Sequence, residues 1–380
     1  MLYSGPRIDS DVHHRWKTDA ELIAYLPQRW RELVEMPGRP TRALLPPNLF
    51  HPAPNGFTQR VDSIPSTGGP HGSDLATFRA QLLDPFNIEA AILSFDVGLN
   101  PGLGNIELAS AVTTAMNEWS IERWLSGQDR RLYGSLLVNT QMPELAAAEI
   151  RRLGVHPRMV EALFVVNGAQ KPMGHPVYDP IFKACAEIDL PVAIHIGGDT
   201  AIQSIATATT AGGTPSSRFE RHATQMQPVQ HYLTSYLAHG VFEKFPGLRL
   251  ILKETGIGWL PWLFWELDAC EDELRLESSW VRRRPTDYFR EHVWVTSQPL
   301  DEPPKAEQLI GWLEAWGPID DMLCFSTDYP HHDTDDPDNV ARRLPTTWWD
   351  RVFYKNALKA YGWPESIVRG KPHAQPALAD

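Results

Sequence analysis

No stretch of about 18 consecutive apolar residues occurs anywhere in the chain, which excludes a hydrophobic helix crossing a bilayer. The first residues, Met1 to Pro6, also lack a basic segment followed by an apolar one, so a secretory leader is not expected and the cytoplasm is the expected location. Cysteine is scarce: Cys185, Cys270 and Cys324 are odd in number, far apart and without C-x-x-C spacing. They are read as reduced core residues, which excludes a disulfide framework and a thiolate metal site. Runs of Lys or Arg are missing as well, and the formal net charge of -12 repels phosphate backbones, so nucleic acid is not an expected partner.

What is present suits a large globular enzyme. Hydrophobic residues make up 42% of 380 positions, with 14 Trp and 14 Phe, enough to fill a sizeable core. Length alone allows one decorated domain or two, and we read 1–380 as a single domain. Short apolar runs rich in β-branched residues fall at 8–13, 90–95, 131–138, 160–166, 192–196, 248–253, 292–297 and 322–327. Segments of helical period separate them at 106–125, 143–153, 180–188, 229–245, 259–274 and 307–316. Strand alternates with helix throughout, and eight strands is the number that closes a TIM barrel, so the predicted fold is α/β, a (β/α)8 barrel. A doubly wound open sheet is the alternative on pattern alone, though it usually needs fewer strands.

Three stretches break the repeat. Residues 26–83 are rich in Pro, Gly and Asn, and 200–221 open with a Thr, Ala, Gly and Ser stretch; both follow predicted strands. Long excursions there lie on the catalytic face of a barrel, so both are expected to act as lids or pocket walls. The tail, 364–380, is polar with scattered Pro and Ala and is expected to be disordered or draped on a partner subunit.

The candidate chemistry sits at strand ends. Asp11 and His13 lie two residues apart, so the pleat turns both side chains the same way, into the barrel. Alone, D-x-H is a weak signal, equally met in a surface loop. His195 ends the fifth apolar run and is followed by Gly197 and Gly198; a hydrogen-bonded core histidine is its bland reading. Asp328 ends the eighth run, where a carboxylate is costly to bury without a partner or a cation, an N-cap of the next turn being the alternative. Together the four occupy the C-terminal ends of strands one, five and eight, where barrel enzymes keep their chemistry. Two imidazoles and two carboxylates suit Zn, Mn or Fe(II) better than Ca or Mg, with zinc the expected ion.

Several motifs carry a family resemblance: Ile8-Asp-Ser-Asp11-Val-His13, Asn117-Glu-Trp119, Pro191-Val-Ala-Ile-His195, Gly240-Val-Phe-Glu-Lys-Phe-Pro-Gly-Leu, Glu254-Thr-Gly-Ile-Gly-Trp259-Leu-Pro261, Ser297-Gln-Pro299 and Thr327-Asp328-Tyr-Pro-His331. The chain resembles the aminocarboxymuconate-semialdehyde decarboxylase-like branch of the amidohydrolase superfamily. The resemblance implies a distorted TIM barrel with long loop insertions and a catalytic divalent metal. It also implies C–C or C–N bond cleavage in a small carboxylated, often aromatic or dienoic, compound, for which the expected mechanism is a metal-activated water whose proton Asp328 takes. Oligomers follow too, as a homodimer or a hetero-oligomer with a paralogue. By position, Asp11, His13 and His195 match metal ligands, Asp328 the aspartate that binds metal and handles a proton, and His331 a residue that orients Asp328 or meets substrate.

One departure stands out. Decarboxylases of the family tend to carry a histidine at the end of strand six, where this chain has Glu254. Glu254 could serve as a general base of raised pKa or as a ligand to a second ion, an ion pair with Lys253 or a nearby Arg being its structural alternative. The departure weakens non-oxidative decarboxylation as a specific assignment, so hydrolysis and decarboxylation both stay open. So do an O2-dependent non-haem dimetal oxygenase, using iron or manganese held partly by Glu254 and His331, and a metal-binding structural subunit paired with an active paralogue. His14, on the opposite side of its strand, is left out, and His239 is read as a helix-end residue. His332, Trp259, Trp262, Arg218, Arg221 and His222 are read as solvated or wall residues.

Overall fold

A computed structural model describes residues 3–36, 59–95, 105–127, 129–165, 168–169, 171–196, 217–224 and 226–368. Eight strands form one parallel sheet in sequence order: β1 (Arg7–His14), β2 (Ile88–Phe95), β3 (Leu132–Leu137), β4 (Met159–Phe164), β5 (Val192–His195), β6 (Leu250–Lys253), β7 (Val293–Thr296) and β8 (Leu323–Cys324). The two ends of the sheet meet where β1 bonds the segment that continues β8, Ser10 N–H donating to Phe325 O at 2.9 Å and His13 N–H to Tyr329 O at 2.7 Å. This closes a TIM barrel, and every residue of β1, β4, β5, β6, β7 and β8 is buried. Burial on both faces explains why these strands read as continuous apolar runs, not as alternating ones.

The strand positions agree with the periodicity, and the differences have local causes. β8 holds only two residues where six were expected, so Asp328 lies beyond the sheet in a turn. The segment 229–245 is two helices, Gln227–Ala238 and Val241–Lys244, separated at Gly240 with φ 64°. That left-handed conformation suits glycine and ends the first helix. The segment 259–274 likewise divides into Leu260–Ala269 and Glu271–Glu277, breaking at Cys270. Cys270 is exposed, not a core residue as expected, whereas Cys185 and Cys324 are buried.

Short helices, Gln28–Val34 and Leu75–Phe78, occupy the described parts of the first insertion. From it, Arg60 N–H donates to Pro330 O at 2.8 Å, and Gln59 bridges His331, which straps the insertion across the turn after β8. Of the second insertion, 200–216 lie outside the described residues, and a helix, Arg218–Thr224, follows. The start of the tail is ordered: Glu365–Ile367 form a 3-10 turn, with Ile367 and Val368 against the core, while 369–380 lie outside the described residues. No described helix is long and apolar enough to cross a membrane.

Candidate metal centre

At the C-terminal end of the barrel, Asp11, His13, His195 and Asp328 converge. One ligand atom from each lies within 4.8 Å of every other, and all four side chains are buried. His13 Nε2 is 2.7 Å from Asp328 Oδ1, and His195 Nε2 is 3.1 Å from Asp11 Oδ2. The two imidazole rings stand nearly perpendicular, with centroids 5.2 Å apart.

The ring orientations follow from backbone acceptors. His13 Nδ1 lies 3.2 Å from Phe95 O and His195 Nδ1 2.5 Å from Ile196 O. A carbonyl only accepts, so each Nδ1 carries the hydrogen and each Nε2 is left to present a lone pair to the centre. Among the described residues, His13 Nε2, His195 Nε2 and Asp11 Oδ2 are buried without a hydrogen bond of proper direction, although their carboxylate and imidazole neighbours are close. Buried polar atoms are normally satisfied, and a cation among these three atoms would satisfy them together. The donor set therefore fits a divalent ion.

Electrostatics reinforce the convergence. Burial favours protonating Asp11, but Lys253, His195 and His13 outweigh it and hold the carboxyl well below the usual range. Burial likewise opposes charge on Asp328, and His331 and His13 override it, keeping the carboxyl low. In the metal-free site Asp11 overcomes the opposing effect of burial and pushes His195 up to about 9, so a cation that takes Nε2 displaces a proton from it.

Glu254 and Asp328 share a conformation that few non-glycine residues adopt, with φ of 54° and 60°. Each left-handed residue costs roughly 1–2 kcal/mol, so the surrounding bonds must hold them. Glu254 N–H donates to Thr296 Oγ1 at 3.1 Å, and Asp328 N–H to Asp11 O at 3.0 Å. The turn thus brings the Glu254 carboxylate to 3.7 Å from His195 Nε2. Burial, and next the charge of Asp328, push that carboxyl up to about 8. His331 Nδ1 lies 2.8 Å from each oxygen of Asp328, and Glu254, Asp328 and His331 form a second ligand group that shares Asp328.

Other expectations are resolved by geometry. Glu254 does not pair with Lys253, which extends into the barrel to Glu161 and Asp11 instead. His14 packs among Phe95, Trp119 and Trp124, with Nδ1 2.6 Å from Ser94 O and Nε2 2.8 Å from Ser120 Oγ, away from the centre. His239 ends its helix with its ring beside that of His175, and the exposed His332 pairs with Asp333 at 3.0 Å. Trp259 donates to Thr255 O, and Trp262 is half exposed. The side chains of Arg218, Arg221 and His222 lie outside the described residues.

Among the buried charges, Asp9 and Glu161 were not singled out in the sequence, and Lys253 was read only as a partner for Glu254. Each interrupts an apolar strand, and that interruption was the available signal. Asp9 Oδ1 accepts from Thr327 N at 3.0 Å and Asp11 N at 3.3 Å, and its Oδ2 accepts from Thr327 Oγ1 at 2.6 Å. It ties β1 to the residue before Asp328.

Residues 10–363 match the family described as Amidohydrolase. The chain belongs to that family. As an amidohydrolase it is an enzyme, and its relatives lie in the decarboxylase branch. It is 27% identical over 271 residues to the gamma-resorcylate decarboxylase of Rhodococcus jostii, a match spanning 68% of this chain and 78% of the relative. An amidohydrolase structure from Mycobacterium avium subsp. paratuberculosis superposes with a TM-score of 0.71 at 21% identity, covering 96% of this chain and 100% of that one. A dihydroxybenzoic acid decarboxylase from Polaromonas sp., with bound manganese and the inhibitor 2-nitroresorcinol, gives 0.63 at 19% identity over 94% and 97% of the chains.

Proposed function

We propose that this amidohydrolase is a metal-dependent, non-oxidative decarboxylase of a small, hydroxylated aromatic acid. The observation that carries the reading is the buried convergence of Asp11, His13, His195 and Asp328, three of whose ligand atoms lack a hydrogen bond of proper direction. The relatives named for gamma-resorcylate and dihydroxybenzoic acid supply the substrate class. These four residues would hold the cation, which would polarise substrate oxygens and balance the carboxylate charge. Zinc, manganese and iron(II) all accept this donor set.

Decarboxylation needs one proton and no redox partner. The bond between the ring and the carboxylate breaks, its electron pair stays on the ring carbon, CO2 leaves, and a proton takes its place. Asp328, bracketed by His13 and His331, is the residue we assign to handling that proton, with Glu254 as the second carboxyl facing the substrate. His331 orients Asp328. Within a single domain, the insertions 26–83 and 200–221 would be the pocket walls, a role supported for the first by the Arg60 strap onto the turn after β8. The test is His195→Ala: the wild type should bind a divalent ion and release CO2 from 2,6-dihydroxybenzoate or a related hydroxybenzoate, and the variant should do neither. A fully active, metal-free variant would end the reading.

A second reading is favoured by the shared Asp328. Glu254 and His331 complete a group able to take a further ion, which would suit an O2-dependent dimetal oxygenase. Two equivalents of iron or manganese and substrate-dependent oxygen uptake would establish it; one equivalent and no uptake would dismiss it.

A further inference from the structure

Beneath the candidate centre, the barrel interior holds an ion network where layers of Val, Ile and Leu are the rule. Lys253 of β6 is fully buried, and its Nζ lies 2.5 Å from Glu161 Oε1 of β4, 3.4 Å from Asp11 Oδ1 of β1 and 3.4 Å from Ser94 Oγ of β2. Glu161 is buried just as completely and accepts from Ser135 Oγ at 2.5 Å and from Tyr361 OH at 3.0 Å. Every charged atom therefore has a partner, the condition under which a buried pair is tolerated. An apolar pair of similar volume would commonly be as stable or more so, which makes stability a poor account of the network.

Its contact with Asp11 is one-sided. Oδ1 receives Ser94 Oγ–H at 2.9 Å and faces the Lys253 ammonium, whereas Oδ2 receives no hydrogen bond and lies nearest His195 Nε2. One carboxylate oxygen is saturated from below and the other is turned to the centre. Resting on the metal centre proposed above, we infer that Lys253 is a positioning residue, with Glu161 as its fixed counter-ion. Together with Ser94 it holds Asp11 so that only Oδ2 faces the cation. Glu161 neutralises the ammonium, so the lysine orients the ligand without placing a net positive charge beside the incoming ion.

The double variant K253M/E161Q tests this, because it removes one charge of each sign and keeps an acceptor for Ser135 and a polar partner for Tyr361. Manganese(II) titration into metal-stripped protein, followed by calorimetry, gives the affinity; thermal unfolding of the same metal-free samples reports the core. Loss of an outer partner of a metal ligand typically weakens binding about 10–100-fold, and that loss is expected here at an unchanged or raised metal-free Tm. A merely structural network would lower Tm and leave manganese affinity alone, and that result would overturn the inference. Should the double variant not fold, Ser94→Ala decides, since it removes only the 2.9 Å donor to Oδ1: weaker manganese binding supports the inference, and wild-type affinity overturns it. Wild-type protein that takes up no manganese would instead remove the metal centre itself, and the inference with it.

Discussion

Replacing Asp9 by Ala removes the clasp between β1 and the turn that carries Asp328. The bulge between Asp9 and Val12 takes Asp11 out of the ladder with β2, and Asp9 Oδ1 accepts the Asp11 N–H at 3.3 Å, as well as the Thr327 N–H at 3.0 Å. Both donors are buried in residues of at most 1% exposure, so no solvent replaces the lost oxygen. A buried donor left without its acceptor costs about 1–3 kcal/mol, which puts the two N–H groups at roughly 2–6 kcal/mol. The Thr327 hydroxyl, 2.6 Å from Oδ2, adds to that. Against a total stability of about 5–15 kcal/mol, the loss is large. Urea unfolding of metal-free protein, read by fluorescence of the 14 Trp residues, should show it as a lower midpoint at an unchanged slope. Asp9→Asn keeps an oxygen where Oδ1 stood and reverses only the contact to Thr327 Oγ1, so it should lose about 1 kcal/mol. An alanine variant within about 0.5 kcal/mol of wild type, the ordinary range for inconsequential surface changes, would refute the clasp.

Two further predictions concern stability. Burial pushes the Asp335 carboxyl up to about 7 from an ordinary 3.8, against the Leu300 N–H that donates to it at 2.9 Å. Between those two values the folded chain binds more protons than the unfolded one, so this carboxyl removes stability as pH rises through that window. Asp335→Asn, which keeps an acceptor for Leu300, should therefore raise the urea midpoint at pH 8 and change it little at pH 4; an equal change at both would contradict the assignment. A Cβ on Gly174 would stand 2.3 Å from the backbone of Ser235 and Tyr236. Gly174→Ala should force the loop after β4 off the helix Gln227–Ala238, at a cost of about 1–3 kcal/mol by thermal unfolding, with manganese affinity retained.

The legible part of this protein is the part written in local periodicity. Eight apolar runs spaced by helical segments specify a parallel sheet covered by helices, with the strand number that suits a barrel, because buried parallel strands need continuous apolar sequence and each crossover needs a helix. Asp11, His13, His195 and Asp328 stand out because polar residues at the ends of such runs have few structural explanations. Helix breaks were less legible: Gly240 and Cys270 interrupt apolar periods that continue on either side, and only the backbone shows the interruption.

What tertiary structure alone decided is where each inward side chain points and what it meets there. Lys253 and Glu254 are neighbours in sequence, yet one reaches down to Glu161 and the other, through a left-handed turn, up to His195. Asp9 meets Thr327 across 318 residues of chain, and Glu161 meets Tyr361 across 200. Hydrophobic pattern encodes whether a position is buried. The partner across the barrel depends on strand register and closure, which no local stretch of sequence contains.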